Sequence, residues 1–225
     1  MSSKLLLFYQ PANLNLRFNA ILMKIAIRSD AAQHTALMAK GIREGVSITD
    51  DFSEADAIFD LVFDKDTKPI FAGWTEKPVF VNAVISINAE LPANYIRINA
   101  WNGFLQNEVW ELVPKESEVF SHAITVLRNL GWEYQLVPDI PGMIAPRVIA
   151  SIINEAYFAL GEKISSKESI DIAMRYGTNY PYGPFEWSQK IGLENVYALL
   201  QKLGENDSRY EIAKEMEKEI ELKTV

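Results

Sequence analysis

The 225-residue sequence contains no cysteine, only two histidines and no long apolar run. Without cysteine, the chain can form neither a disulfide nor a thiolate nucleophile nor a cysteine-ligated metal site, which suits a reducing compartment. The opening KLLLFYQP is too short for the apolar region of a signal peptide, and no later run reaches the length of a membrane span. We therefore expect a cytoplasmic protein with no metal and no membrane association.

Positive charge is also scarce, with 22 Lys and Arg against 30 Asp and Glu and a net charge of −8. Nucleic-acid binding needs clustered basic side chains, and the sequence has no basic stripe, so we expect no nucleic-acid partner. The acidic excess favours solubility. With 48% hydrophobic residues, a chain of this length can bury a core and divides into a larger and a smaller domain.

The first part of the chain alternates β-rich and helical segments. Runs rich in β-branched and aromatic residues predict strands at 4–9, 23–28, 57–63, 78–84, 95–101, 108–113 and 132–137. Before the last of these, Phe120, Ile124, Leu127 and Leu130 share one helical face, and Gly131 suits the helix end. Strands that alternate with helices predict an α/β domain over residues 1–138, with a mostly parallel, doubly wound sheet.

From DIPG (139–142) onward, every segment has a helical pattern, which predicts an all-α domain over residues 139–225. Its first helix has an apolar stripe of Ile144, Val148, Ile152, Ile153, Ala156 and Leu160, ended by Gly161. Ser165 and Glu168 form a capping-box pattern at the start of the next helix. Pro184 suits the first turn of a third helix, and Gly192 its end.

Motifs in residues 139–193 carry a resemblance to a known family. The segment contains PG-x-x-x-x-R, NEA, ID-x-A-M and P-x-GPFE followed by IGL. It resembles the C-terminal domain of the 3-hydroxyacyl-CoA dehydrogenases, which carries these motifs at the same spacing, with PGF-x-x-NR as the first. Residues 46–63, 77–87 and 95–113 resemble the family's N-terminal part more weakly. The resemblance implies a Rossmann-like domain, NAD as the family's cofactor, an acyl-CoA-like ligand and a homodimer formed by the helical domain.

The stripe from Ile144 to Leu160, with Tyr157 and Phe158, offers more apolar surface than one small bundle needs, which supports the homodimer.

The family's glycine loop is replaced in this chain. Ser29, Ala31 and His34 stand where the glycines would fall, no G-x-G occurs anywhere, and Asp30 would repel a pyrophosphate. Either Arg28 and the helix N-terminus bind another anion, or the loop is simply tighter, which we favour. About ten residues separate His34 from the segment at residue 46. These are too few for a strand plus a helical hairpin, so we expect the family's ribose contact and its helical arm to be missing, with Asp50 and Asp51 as poor substitutes for the ribose-binding acid.

The family's catalytic histidine corresponds to Asn99, twelve residues before Glu111. A carboxamide does not titrate near neutral pH, so it cannot act as the base for hydride removal from a hydroxyl group. Pro146 replaces the asparagine of the PGF-x-x-NR motif, and Val84 or Ile85 replaces a serine.

Two further asparagines, Asn82 and Asn102, are candidates for the substrate cleft. Asn99, Asn102 and Glu111 either form a polar pocket or satisfy backbone groups at strand ends. Five aromatic residues nearby either hold a planar ligand or form core, which we favour: Trp101, Phe104, Trp110, Trp132 and Tyr134.

The sequence thus predicts a 3-hydroxyacyl-CoA dehydrogenase-like pseudoenzyme with no cofactor. It would act as a binding or assembly protein linked to acyl-CoA and fatty-acid metabolism. One alternative is an active NAD(P)-dependent oxidoreductase of a 3-hydroxyacyl-CoA or related hydroxy acid, with an atypical NAD site. A second alternative is a subunit that serves only protein interaction.

Overall fold

The computed structural model describes residues 23–66 and 68–224, so the strand predicted at 4–9 lies outside the described residues. Seven strands form one sheet in the order β2-β1-β3-β4-β5-β6-β7. They are β1 (Met23–Arg28), β2 (Val46–Ile48), β3 (Ala57–Asp60), β4 (Val79–Asn82), β5 (Tyr95–Ile98), β6 (Val109–Leu112) and β7 (Glu133–Leu136). Neighbouring strands are parallel except for β5 and β6, which confirms the mostly parallel α/β sheet.

Eight α-helices accompany the sheet in the described residues. They are α1 (Ala31–Ala39), α2 (Phe63–Asp66), α3 (Glu118–Leu130), α4 (Ala145–Gly161), α5 (Lys167–Thr178), α6 (Pro184–Ile191), α7 (Leu193–Gly204) and α8 (Lys214–Thr224). None of these described helices is long and apolar enough to cross a bilayer.

Local sequence signals place several helix ends. Gly131 ends α3 with a φ of 71°, Pro184 stands in the first turn of α6, and Gly192 follows its last residue. At α5 the predicted cap was wrong by one residue: Ser166, not Ser165, accepts a hydrogen bond from the Ser169 backbone N–H. Gly161 lies inside α4, which ends one residue later than the sequence predicted.

The sheet contains one short strand that the sequence patterns did not predict. Val46–Ile48 forms β2, which pairs in parallel with β1 at the edge of the sheet. Only three residues form this strand, so it left no clear pattern in the sequence. Exposed Asp50 and Asp51 follow β2 after one intervening residue, and the turns up to residue 56 lead into β3 without a helical arm.

Apolar side chains alternate between the two faces of the sheet. One face packs residues such as Ile25, Phe59 and Phe80 against α1 and α3, and the other buries Ile58 and Val79. A separate core joins α4, α6 and α7 to three residues that follow β4 and β5, namely Val84, Trp101 and Phe104. The five aromatic residues singled out from the sequence are therefore divided, because Trp110, Trp132 and Tyr134 belong to the first face.

Candidate functional site

Polar residues meet at the carboxyl ends of four neighbouring strands. Arg28, Asp60 and Asn82 are the last residues of β1, β3 and β4, and Asn99 follows β5 directly. In open α/β sheets, ligands bind in the crevice outside this edge, at the point where the strand order reverses. Here the reversal lies between β1 and β3. The candidate site therefore has two parts, around Arg28 and around Asn99, which three strand spacings hold about 14 Å apart.

Asn99 and Glu111 are direct neighbours because of the antiparallel pairing of β5 and β6. Ile98 pairs with Leu112. This antiparallel register places Asn99, the residue after β5, opposite Glu111 of β6. Asn99 Nδ2 donates to Glu111 Oε2 at 3.0 Å, and Asn99 Oδ1 accepts from the Trp101 backbone N–H at 3.3 Å. Both ends of the buried Asn99 amide are thus paired with the protein itself.

The second oxygen of Glu111 holds the start of α4. Glu111 Oε1 accepts from the backbone N–H groups of Ile144 and Ala145 at 2.9 and 2.8 Å. The helix needs such a partner, because its own N-cap residue is Ile144, which has no side-chain acceptor. A carboxylate at a helix N-terminus is also favoured by the helix dipole. Glu111 therefore joins β5, β6 and α4 through three hydrogen bonds.

The other residues predicted around Asn99 make fewer polar contacts. Asn82 is buried, and its Oδ1 accepts from the Ala100 backbone N–H at 3.0 Å, so it fixes the start of the loop after β5. Half-buried Asn102 lies in that loop and makes no side-chain hydrogen bond to another described residue. Pro146 is buried in the first turn of α4, where proline is tolerated, and Val84 is a fully buried apolar residue.

At the reversal of the strand order, an ion pair spans β1 and β3. Arg28 Nη1 donates to both carboxylate oxygens of Asp60, at 3.0 and 3.1 Å. The Asp60 side chain is completely buried, while that of Arg28 is 27% exposed. An anion-binding role for Arg28 was the less favoured interpretation of the sequence. The pairing with Asp60 directs the guanidinium to the protein's own carboxylate.

The connection from β1 to α1 is closed by its own capping box. Asp30 Oδ1 accepts from the Gln33 backbone N–H at 2.8 Å, and Gln33 Oε1 accepts from the Asp30 backbone N–H at 3.1 Å. Gln33 Nε2 also donates to the Leu61 carbonyl at 2.6 Å, which ties α1 to the segment after β3.

Three residues stand where the family's loop has glycines, and each adds a side chain to the connection from β1 to α1. Ser29 lies between β1 and the cap, while Ala31 and His34 lie in α1 with exposed side chains. A dinucleotide pyrophosphate needs a close backbone approach and available N–H groups at this helix N-terminus. Asp30 supplies a negative charge there and itself accepts the Gln33 N–H, so these residues do not fit an NAD pyrophosphate in the family's manner.

Three charged residues of this edge are not among the site residues predicted from the sequence: Asp60, Asp64 and Arg97. The sequence could have indicated each of them, because a charged residue within or just after an apolar strand is unusual. Arg97 is flanked by Ile96 and Ile98 and is completely buried. Among the described residues, no group of three acidic or histidine side chains is arranged to hold a metal ion.

Comparisons with known proteins bear on the family and on the fold. Residues 142–224 match the model of the 3-hydroxyacyl-CoA dehydrogenase C-terminal domain. The helical part of the chain is thus similar to this family's C-terminal domain, as the motifs predicted. The family is NAD-dependent.

Two curated relatives show the extent of the sequence similarity. The 3-hydroxyadipyl-CoA dehydrogenase of Escherichia coli (strain K12) is 43% identical over 81 residues, which are 36% of this chain and 17% of that protein. The 3-hydroxybutyryl-CoA dehydrogenase of Bradyrhizobium diazoefficiens is 32% identical over 124 residues, 53% of this chain and 42% of that protein. The chain thus spans less than half the length of these two relatives.

Solved structures of dehydrogenases share the fold. The (S)-3-hydroxybutyryl-CoA dehydrogenase of Ralstonia eutropha has a TM-score of 0.64 and 19% identity, over 89% of this chain and 94% of that one. The 3-hydroxybutyryl-CoA dehydrogenase of Escherichia coli K12 also has a TM-score of 0.64, with 18% identity over 88% of this chain and 56% of that one. These likenesses confirm the Rossmann-type architecture followed by a helical region.

Proposed function

We propose that this 3-hydroxyacyl-CoA dehydrogenase homologue has lost NAD-dependent catalysis and acts as a binding or assembly protein in acyl-CoA metabolism. The observation that carries the proposal is the pairing of Glu111. Its carboxylate accepts hydrogen bonds from Asn99 and from two backbone N–H groups of α4, so it orients no titratable base. Asn99 itself cannot take up the proton of a hydroxyl group near neutral pH.

A second observation supports the proposal independently. The Arg28–Asp60 ion pair crosses the strand reversal at which a dinucleotide would lie, and the capping box takes the backbone N–H groups of Asp30 and Gln33 at the start of α1. Restoring NAD binding would require the loss of both arrangements. A single substitution at Asn99 or at Glu111 should therefore restore no activity.

The test is turnover of acetoacetyl-CoA with NADH, followed by the loss of nicotinamide absorbance. We expect no turnover above background from the wild-type protein or from the Asn99→His variant. A general base contributes roughly 10²–10⁴-fold, but only to a substrate and cofactor that are already held in place. Turnover by the unmodified protein would favour the alternative of an active oxidoreductase with an atypical NAD site.

A ligand role would use the loop after β5, which carries Asn102 and whose start is fixed by Asn82. Asn102 has no side-chain hydrogen bond to another described residue, so its amide is available to an acyl-CoA-like molecule. Thermal denaturation with and without acetoacetyl-CoA, in wild type and Asn102→Ala, separates this role from pure protein interaction. We expect a stabilisation in the wild type that the variant lacks. No stabilisation in either protein would favour an interaction subunit.

We also propose a homodimer through the helices. The expected surface differs in detail from the sequence prediction, because Tyr157 is buried within the helical core. Apolar residues nevertheless remain exposed one turn apart on two helices, Ile144 and Val148 at α4 and Ile172 and Tyr176 on α5. No residue of α5 is buried within the described chain.

Sedimentation velocity tests this assembly. We expect a dimer at micromolar concentration that the double substitution Ile172→Lys, Tyr176→Lys weakens by burying charge at the contact. Ile48→Lys, at an exposed apolar residue of the sheet edge, is the matched control and should leave the dimer intact. A wild-type monomer that does not change with concentration would contradict the proposal.

A further inference from the structure

Asp64 is a carboxylate that the proposed function does not use. It lies in the single turn of α2, four residues after the end of β3, at the same edge of the sheet as Asn82 and Asn99. Its Oδ2 accepts from the Val84 backbone N–H at 3.3 Å. Either Val84 or Ile85 stands where the sequence resemblance places a family serine.

The surroundings of Asp64 favour its neutral form. Burial raises the pKa of Asp64 to about 7, while the hydrogen bond from Val84, the neighbouring Trp101 indole and the charge of Arg97 oppose that rise only in part. The group therefore changes charge in the physiological range, unlike an ordinary aspartate.

Arg97 connects the neighbourhood of Asp64 to the start of the helical region. Its guanidinium is completely buried and donates to the carbonyl oxygens of Ala83, Val84 and Ile140 and to the Asp139 carboxylate. The Val84 carbonyl also accepts from the Gly142 backbone N–H at 2.8 Å. The Val84 peptide thus bonds Asp64 through its N–H and the connection to α4 through its C=O.

We propose that Asp64 is a proton-binding switch at the junction between the sheet and the helical region. The charged carboxylate holds the Val84 N–H and faces Arg97. Protonation replaces that carboxylate with a weaker acceptor and leaves Asp139 as the acidic partner of Arg97. The change reaches Gly142 through the Val84 peptide, whether or not the protein binds a nucleotide.

The charged groups around the switch come from several elements. Arg97 of β5 acts directly on Asp64. Asp139 and Glu90 act in turn on Arg97, and burial lowers the pKa of the Arg97 guanidinium. Lys115 also interacts with Asp139, and burial lowers the pKa of the Lys115 ammonium group.

Amide and indole ¹H–¹⁵N resonances of the full chain, recorded from about pH 5 to about pH 9, test the proposal. We expect the Val84 and Gly142 amides and the Trp101 indole to titrate together in the wild type, with a midpoint within about one pH unit of 7. In Asp64→Asn these three signals should stay flat. Exposed Asp51→Asn is the matched control, with the same change of charge, and should keep the transition.

Histidines are the other groups that titrate in this range, and the chain has only two. The double variant His34→Gln, His122→Gln should therefore keep the transition. A direct ¹³C titration of the aspartate carboxyl groups in the wild type needs no variant, and one of them should have its midpoint near pH 7. The proposal is wrong if no aspartate carboxyl titrates there, if the transition persists in Asp64→Asn, or if it vanishes without the histidines.

Discussion

Replacing Glu111 with alanine removes the acceptor of three hydrogen bonds at once. Two come from the first backbone N–H groups of α4 and one from the buried Asn99 amide. Hydrogen bonds to charged groups contribute roughly 1.5–3 kcal/mol each, and a lost N-cap costs about 0.5–2 kcal/mol. Water replaces part of these bonds at the half-buried carboxylate. We therefore expect the free energy of unfolding to fall by about 3 kcal/mol.

Urea unfolding followed by circular dichroism measures this loss. Glu111→Gln keeps a carbonyl acceptor for α4 and should lose less, about 1–2 kcal/mol. Glu133→Ala is the matched control, since Glu133 is an exposed strand residue of the same sheet, and it should stay within about 0.5 kcal/mol of wild type. If Glu111→Ala is as stable as Glu133→Ala, then Glu111 does not hold α4 and the structural role assigned to it is wrong.

Three further substitutions test other parts of the account. Arg28→Leu leaves the buried Asp60 carboxylate without its guanidinium, so it should cost more than about 2 kcal/mol in urea unfolding without creating NAD binding. The pKa of Asp64 is higher in the folded protein than in the unfolded chain, so the folded state binds this proton more tightly. The contribution of Asp64 to the free energy of unfolding should therefore fall by up to about 4 kcal/mol as the pH rises from about 4 to about 7. Asp64→Asn should remove this slope, as unfolding at several pH values will show. Gly131→Ala places a methyl group against the Arg43 guanidinium at a φ of 71° and should lower the melting temperature, whereas Gly73→Ala, in open space, should not.

Sequence patterns predicted the parts of the fold that local chemistry determines. The predicted strands between Met23 and Leu136 were found because their β-branched and aromatic residues are contiguous, although all of them except β1 proved shorter than predicted. Strand β2 was missed because three residues are too few for a pattern. Gly131 and Pro184 were placed correctly because a positive φ and a first-turn proline depend on neighbouring residues alone.

The site was predicted in its residue types but not in its bonds. The spacing of Asn99 and Glu111 was readable as a family pattern, and the strand pairing brings them together. The bonds from Glu111 to α4 span more than thirty residues, as does the Arg28–Asp60 pair. Such contacts depend on how the sheet and helices pack. The sequence could therefore indicate that the family's chemistry was altered, but not which internal partners had replaced it.

Isothermal titration of the purified protein with NADH tests the central claim most directly, because it measures cofactor binding without requiring turnover. The ion pair at Arg28 and the cap at Asp30 predict a dissociation constant no better than roughly millimolar, about −4 kcal/mol. Micromolar binding, about −8 kcal/mol, would show that the altered loop still accepts the dinucleotide and would contradict the loss of NAD-dependent function.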